Sequence, residues 1–520
     1  MRRISDQTFC IPRGWSKAVL AALIGAVPMT QFATAQEALG EPELIDSSVM
    51  ADSAADTIEP IEAVADSSEP ADTVPRADYD ALIERIDALE SGFEDYTEGV
   101  ADAAAAAAKK AASRSSYKMT GRVHLDNWNF LGTDSGVNEL EESTGLDDPF
   151  DRWAFRRARL EFSGAVPDNM IFRLQVDFNR PSTPEFKDVY IGFANLPNNQ
   201  TLLIGNQKRP IGLDHLNSSR FNFFTERPFA VESFNEDARR LGIAMYGHSD
   251  DLSVNWRYGL FKLENLTNTG RIREDFEQGG LYGRLAGSPW YDDVSGGRGY
   301  LHLAVSGSVN NVSGGDVEGG TNDARFRTRP EARSTDRWFN TGRIAGANDY
   351  QQLGLETILN IGSIQTTAEY IFNPLQRSPA AGFSGEDLFF HGGYIYTSYY
   401  LTGEHIPYDR KTGTIGRLRP HENFFLVDRL RGGTGRGLGA LGVGVRYSYI
   451  DLTDEDIFGG EGESVTLGIN WHWTAYSKIQ TNMIWGRVDN GGQNVRDTPF
   501  AGGGIDGDYS ILGFRYMLDF

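Results

Sequence analysis

From Tyr117 to its end the chain alternates apolar and polar residues with a period of two, segment after segment. Tyr117, Met119, Val123 and Leu125 alternate with Lys118, Thr120, Arg122, His124 and Asp126. Met170, Phe172, Leu174, Val176 and Phe178 alternate with Arg173, Gln175, Asp177 and Asn179. Runs of the same kind recur at 158–162, 241–245, 252–260, 301–305, 353–361, 441–449 and 465–473. A strand throws successive side chains to opposite faces, so this pattern predicts strands and excludes helical domains. One such strand would suit a soluble sheet wetted on one side. Ten or more in series are joined alternately by very short turns and by long Gly/Asp-rich loops, such as 131–150, 310–348 and 429–439. That arrangement predicts an all-β fold, a transmembrane antiparallel β-barrel.

The last strand, 509–520, sharpens the expectation. Leu512, Phe514, Tyr516, Leu518 and Phe520 make one greasy face, while Ile511, Gly513, Arg515, Met517 and Asp519 make a mixed, partly charged one. It resembles the closing strand of a bacterial outer-membrane barrel, whose terminal aromatic residue is read by the assembly machinery. Taken alone it would also serve as a sandwich strand. No run approaches the ~20 apolar residues of a membrane-spanning helix. Such a gap excludes a helical membrane protein but not a barrel, whose lipid face is spread over alternate residues. Abundant glycine (59 residues) and aromatic residues (12%) suit tight turns and aromatic girdles.

The first 116 residues are organised differently. Residues 1–35 read as a secretory signal peptide: Arg2, Arg3, Arg13 and Lys17 precede an apolar core at 18–27, and Ala33-Thr34-Ala35 offers a cleavage site before Gln36. Cys10, the one cysteine, lies in that segment, so the exported chain is expected to carry no disulfide and no thiolate. An acidic, Ala/Ser/Pro-rich spacer is expected over 36–76. In 77–116, Leu82, Ile86, Leu89 and Phe93 are spaced four, three and four apart, as in a short helical coiled coil. At about two heptads it is too short to be stable alone, though tethering to an oligomeric barrel would raise its effective concentration. A lone amphipathic helix is the other reading. The β-barrel itself is expected over 117–520, with the helical extension in the periplasm.

Net charge is −23 over 520 residues, and no basic surface suggests a nucleic-acid partner. Beyond Ser116 there are 51 acidic and 40 basic side chains, still net −11. The acidic loop 451–463 fits no EF-hand spacing, so metal ligands are not assigned. Gly437, Gly439 and Gly442 spell G-x-G-x-x-G but precede a strand, which argues against a dinucleotide site. The eight histidines form no H-E-x-x-H and no G-x-S-x-G is present, so neither catalysis nor a cofactor is implied.

Dispersed motifs carry a resemblance to a known family. They are R-R-A-R-L-E-F-S-G (156–164), D-V-Y-I-G-F (188–193), L-I-G-N-Q-K-R-P-I-G-L (203–213), S-S-R-F-N-F-F-T-E-R-P (218–228) and S-Y-Y-L-T-G-E-H-I-P-Y-D (398–409). G-V-G-V-R-Y-S-Y-I-D-L (442–452), V-T-L-G-I-N-W (465–471) and G-F-R-Y-M-L-D-F (513–520) complete the set. Together they resemble the phosphate-selective porins O and P of bacterial outer membranes. The resemblance implies about sixteen strands, a homotrimer in lipid and lipopolysaccharide, and a lumen narrowed by an inward-folded loop. It also implies passive conduction of small anions, phosphate above all, past arginine and lysine side chains.

Alternation puts Arg122, Arg157, Arg159, Arg173, Arg257, Arg446 and Arg515 on the lumen side. Lys208 and Arg209 open the segment resembling the family's constriction, with Arg220 and Arg227 further along. The candidate anion-binding residues are therefore Arg122, Arg157, Arg159, Arg173, Lys208, Arg209, Arg220 and Arg227. Of these, Arg157, Arg159, Lys208 and Arg209 are the foremost. Against that stands a lattice in which the same cations pair with Glu161, Asp126, Asp177 and Asp188. The other functional class is a structural protein that tethers the outer membrane to the cell wall through residues 36–116 and has a general, non-selective pore.

Overall fold

In the computed structural model the chain divides into two compact units, Met1–Ala81 and Leu82–Phe520. The structure describes residues 115–141, 148–166, 169–236, 238–265, 278–312, 324–379, 385–424, 427–428, 434–435, 437–491 and 505–520, and scattered helical positions between 81 and 97. The expected signal peptide and spacer lie outside the described residues. Of the expected coiled-coil seam only Phe93 is described, helical and exposed.

Sixteen antiparallel strands form one closed barrel in chain order. The first four are β1 (Ser116–Thr133), β2 (Arg152–Val166), β3 (Met170–Asp177) and β4 (Glu185–Leu196). Next come β5 (Gln200–Lys208), β6 (Arg239–His248), β7 (Val254–Lys262) and β8 (Gly279–Tyr291). The second half holds β9 (Gly299–Asn311), β10 (Ala347–Ile361), β11 (Ile364–Arg377) and β12 (Leu388–Tyr400). Then β13 (Ala440–Asp454), β14 (Ile457–Thr474), β15 (Ser477–Gly491) and β16 (Ile505–Asp519) bring the sheet back to β1. Closure removes every edge, which a lipid environment demands because nothing in hydrocarbon can bond an unpaired backbone group.

The alternation in the sequence becomes the two faces of the wall. On β16, Tyr516, Leu518 and Phe520 point outward and are 42%, 51% and 58% exposed, whereas Arg515 and Asp519 face inward and are buried. The seam between first and last strands is set by the pairs Arg122↔Asp519, Asp126↔Arg515 and Trp128↔Gly513. The Trp128 ring lies flat over Gly513, where an added Cβ would sit 2.3 Å from ring carbon. Glycine is required there because the lumen aromatic occupies the side-chain position.

In β2 the register to β1 slips by one residue: His124 pairs with Arg157 but Leu125 pairs with Phe155. Arg156 is the extra residue of this β-bulge. Trp153 and Phe155 face outward before it, and Leu160 and Phe162 after it, so the parity of the strand changes at the bulge.

Three connections turn into the lumen. The first, 209–238, carries α1 (Leu213–Leu216) and α2 (Phe229–Phe234). The second lies between β9 and β10, and its described part, 324–346, packs Trp338 and Phe339 at 0% exposure. The third, between β12 and β13, breaks the expected alternation of short turns and long loops. It leaves the rim where β10 and β11 are joined by two residues, the periplasmic rim in barrels of this class, yet spans 401–439. Its 406–417 stretch rises inside the wall: the Tyr300 hydroxyl donates to Ile406 O (3.0 Å), Arg284 to Gly413 O (2.9 Å), and Asn255 to Arg410 O (3.1 Å). Lumen side chains need partners for their polar ends, and these backbone carbonyls supply them.

The Gly513→Val variant should fail to close the seam, because a branched side chain cannot share space with Trp128. Its folded, heat-modifiable band should be lost or strongly diminished on cold electrophoresis of outer-membrane fractions; a normal band would disprove the seam packing.

Candidate functional site

The inner faces of β1 to β7, residues 216–227 of the first connection and Lys411 and Thr412 of the third line a cavity of about 470 Å³. Ten basic side chains line it against two carboxylates: Arg122, Arg157, Arg159, Arg173, Lys208, Arg220, Arg227, Arg239, Arg257 and Lys411 face Glu161 and Asp188. Seven of the eight residues singled out from sequence are among them.

Half of the cations are neutralised. Arg159 Nε donates to Asp177 Oδ2 (2.7 Å), Arg239 forks onto Asp188 (2.9 and 2.8 Å), and Arg227 lies 3.0 Å from Asp214. Arg173 and Glu161 are 3.4 Å apart, and Arg220 and Asp519 3.5 Å apart. So the carboxylates named as lattice partners, Glu161, Asp177 and Asp188, do hold arginines here, and Asp126 holds Arg515.

The other half have no carboxylate partner among the described residues. Lys208 nevertheless has all three ammonium donors committed, to the carbonyls of His215, Leu216 and Asn217 (2.7, 2.9 and 2.9 Å). Its work is to hold α1 in the lumen. Arg257 sits over the Tyr246 ring (5.3 Å) and donates to Thr412 O. Arg122, 5% exposed, donates only to the Ser219 hydroxyl (3.0 Å), and its Nε has no partner. Arg157, 4% exposed, lies 3.3 Å from His124 Nδ1, which must accept because a guanidinium only donates, and its Nε is also unpartnered. Lys411 reaches the cavity from the third connection and is exposed.

Two sequence readings change. Arg209 does not line the cavity; it turns onto Tyr282, its guanidinium 5.5 Å from the ring centre, and donates to Glu236 O (3.2 Å). The Arg157/Arg159 pair does not act as twin donors, since Arg159 is held by Asp177 while Arg157 is not. Three residues were missed. Arg156 turns inward because of the bulge. Arg239 stands at the start of β6, where alternation through Leu241 and Ile243 would turn it outward. Lys411 belongs to a connection with no strand pattern at all. Only the crowding of R-R-A-R in 156–159 could have flagged the first.

Glu226 is the anchor of the lumen segment. Arg156 donates to both its oxygens (2.7 and 2.9 Å), and Arg515, which also holds Asp126, donates at 2.6 Å. Burial pushes the Glu226 carboxyl up, but Arg156 and Arg515 outweigh it and hold it well below the usual carboxylate range. In the same segment, burial and the nearby cations Lys208, Arg209 and Arg227 keep His215 neutral, well below the usual imidazole range. Glu369 caps α1, accepting from the backbone N–H of Leu213 (3.1 Å) and Asp214 (3.2 Å). From the wall, Lys478 donates to Asn222 O (3.0 Å) and Asn470 to Phe223 O (2.8 Å). Glu331 of the second connection accepts from Arg446 (2.6 Å), whose guanidinium lies 4.5 Å over the Phe224 ring.

The family model described as phosphate-selective porin O and P matches residues 118–520. The chain belongs to that family. An uncharacterized protein of Caulobacter vibrioides is 25% identical over 409 residues, covering 78% of this chain and 74% of that protein. Among solved structures, an anion-selective porin from Comamonas acidovorans is similar at 12% identity and TM-score 0.46, covering 78% of this chain and all of that one. The outer-membrane channel DcaP of Acinetobacter baumannii is similar at 10% identity and TM-score 0.45, covering 78% and 98%. Porins of this family are channels rather than enzymes, and family and barrel together place the chain in the bacterial outer membrane.

Glu226 titrates with a depressed native pKa, so its contribution is complete above the ordinary carboxylate range of about 4.3 and is lost as pH falls through the depressed value. Channel conductance should therefore be steady between pH 7 and pH 5. Glu226→Gln should loosen the lumen segment at all these pH values, removing about 3–5 kcal/mol of anchoring. Single-channel current should rise or become noisy; unchanged traces would show that the anchor lies elsewhere.

Proposed function

We propose that this porin is a passive, anion-preferring diffusion channel whose lumen cations accept phosphate. The observation that carries the reading is the pair Arg122 and Arg157. Both are buried in a cation-lined cavity and lack a carboxylate partner among the described residues, whereas neighbouring arginines are neutralised. Burying unpaired guanidinium groups is costly unless an anion visits them. Phosphate oxygens accept charge-assisted hydrogen bonds from such groups. Apart from the exposed Lys411, the remaining cations are tied to acids or carbonyls, which keeps each stop weak enough for an ion to leave.

The net −11 of residues 117–520 does not oppose this. Screening confines exposed charges to about a Debye length, ~8–10 Å, so loop acids do not set the field of a narrow lumen. A homotrimer in lipopolysaccharide-rich outer membrane is proposed with it. The extension at 36–116 is proposed to tether or to trimerise, and deletion of those residues should leave conductance intact if it does either.

Reversal potentials under KCl gradients, followed by phosphate titration of the chloride current, test the reading. Chloride should be preferred and phosphate should block. Arg122→Ala and Arg157→Ala should each weaken the block about ten- to hundredfold, the loss of one charge-assisted bond of roughly 1.5–3 kcal/mol. A cation-selective pore, or block untouched by both variants, would sink it.

A further inference from the structure

The cavity is large for the ion it is proposed to pass. Inorganic phosphate has five heavy atoms. The cavity, about 470 Å³, lies within the range typical of pockets for small organic ligands, roughly 300–1,000 Å³. A sugar monophosphate, with sixteen heavy atoms, belongs to that size class.

The chemistry of the walls is divided. Arg122 and Arg157 supply free positive charge. Opposite character comes from neutral hydrogen-bonding side chains that share the lining: Gln175, Gln207, Ser218, Tyr190 and Tyr246. Tyr246 is used internally, donating to Gln207 Oε1 (2.6 Å). Tyr190 is different. Its ring is held under Arg173, 5.6 Å from guanidinium carbon to ring centre, but its hydroxyl has no protein partner among the described residues and is not sealed from the lumen. Gln175 gives its amide to Glu161, and its carbonyl oxygen is sealed from the lumen. Hydroxyl donors can serve inorganic phosphate too, but a hydroxylated molecule carrying a phosphate has groups for both kinds of wall: oxygens for the guanidiniums and a hydroxyl for Tyr190.

We propose that the solute class of this cavity is small phosphorylated polyols and sugars, the phosphate held by Arg122 and Arg157 and a hydroxyl read by Tyr190. The inference rests on the anion-channel reading and narrows it.

Planar-bilayer recording of the full-length protein in KCl, with inorganic phosphate, glycerol 3-phosphate or glucose 6-phosphate added in turn, gives a half-blocking concentration for each. Glucose 6-phosphate should half-block at a concentration at least fivefold below that of inorganic phosphate, with glycerol 3-phosphate between. Tyr190→Phe, which removes one hydroxyl, should cut that ratio below twofold. Tyr447→Phe, on the lipid face, should preserve it. Equal block by all three anions, or a ratio indifferent to Tyr190→Phe, overturns the inference. Block by inorganic phosphate alone overturns it and leaves the anion channel standing. Block by none, with a cation-selective reversal potential, overturns both.

Discussion

Asp126, Arg515, Glu226 and Arg156 form one chain of opposite charges that crosses the barrel seam and enters the lumen. Asp126 and Arg515 face each other across β1 and β16, Arg515 reaches on to Glu226 of the first lumen connection, and Arg156 from the β2 bulge closes on the same carboxylate. A buried ion pair is a weak source of stability, but removing one member is costly because its partner is stranded. Here Arg515 and Glu226 each have two opposite neighbours, so wall and lumen segment constrain one another. The constriction is thus built from the same charges that align the seam.

The strand Arg515 belongs to also bears Asp519, which meets Arg417 of the third connection (3.0 Å) and lies 3.5 Å from Arg220 of the first. Segments entering from opposite mouths are therefore tied to one carboxylate, and they touch directly where Asn217 Oδ1 accepts from Ile415 N (3.1 Å). The acids of the lumen serve structure, and the unpaired cations are what remains for a solute. An acidic chain can in this way carry a basic passage: its carboxylates either pair in the lumen or stand on the outward side of the wall, as do Asp451 and Glu461 on β13 and β14.

How far the sequence reached can be judged residue by residue. Strand faces were legible because lipid and lumen impose a strict period of two, and Leu512, Phe514, Tyr516, Leu518 and Phe520 face outward as the pattern requires. Arg122, Arg157, Arg159 and Arg173 were legible for the same reason. The pattern fails where the pleat fails: at the bulge that turns Arg156 inward, at the strand end that carries Arg239, and in connections where no period exists to place Arg209 or Lys411. Pairing was illegible throughout. Whether Arg157 or Arg159 keeps its charge free depends on Asp177, a residue eighteen positions away on a different strand. Likewise, Lys208 reads as an anion ligand until its three carbonyl acceptors are seen.

The slip of register at Arg156 and the pairing of Asp126 with Arg515 also bear on the order of assembly. Asp126 and Arg515 are 389 positions apart, at the two ends of the barrel's chain. Glu226 can find its second arginine only once the last strand has met the first. Until then the lumen segment holds Arg156 alone and Asp519 is not available to either of the segments it later ties. The narrowing of the passage is consequently a late event, completed by closure itself, and an unfinished barrel would be a wide one.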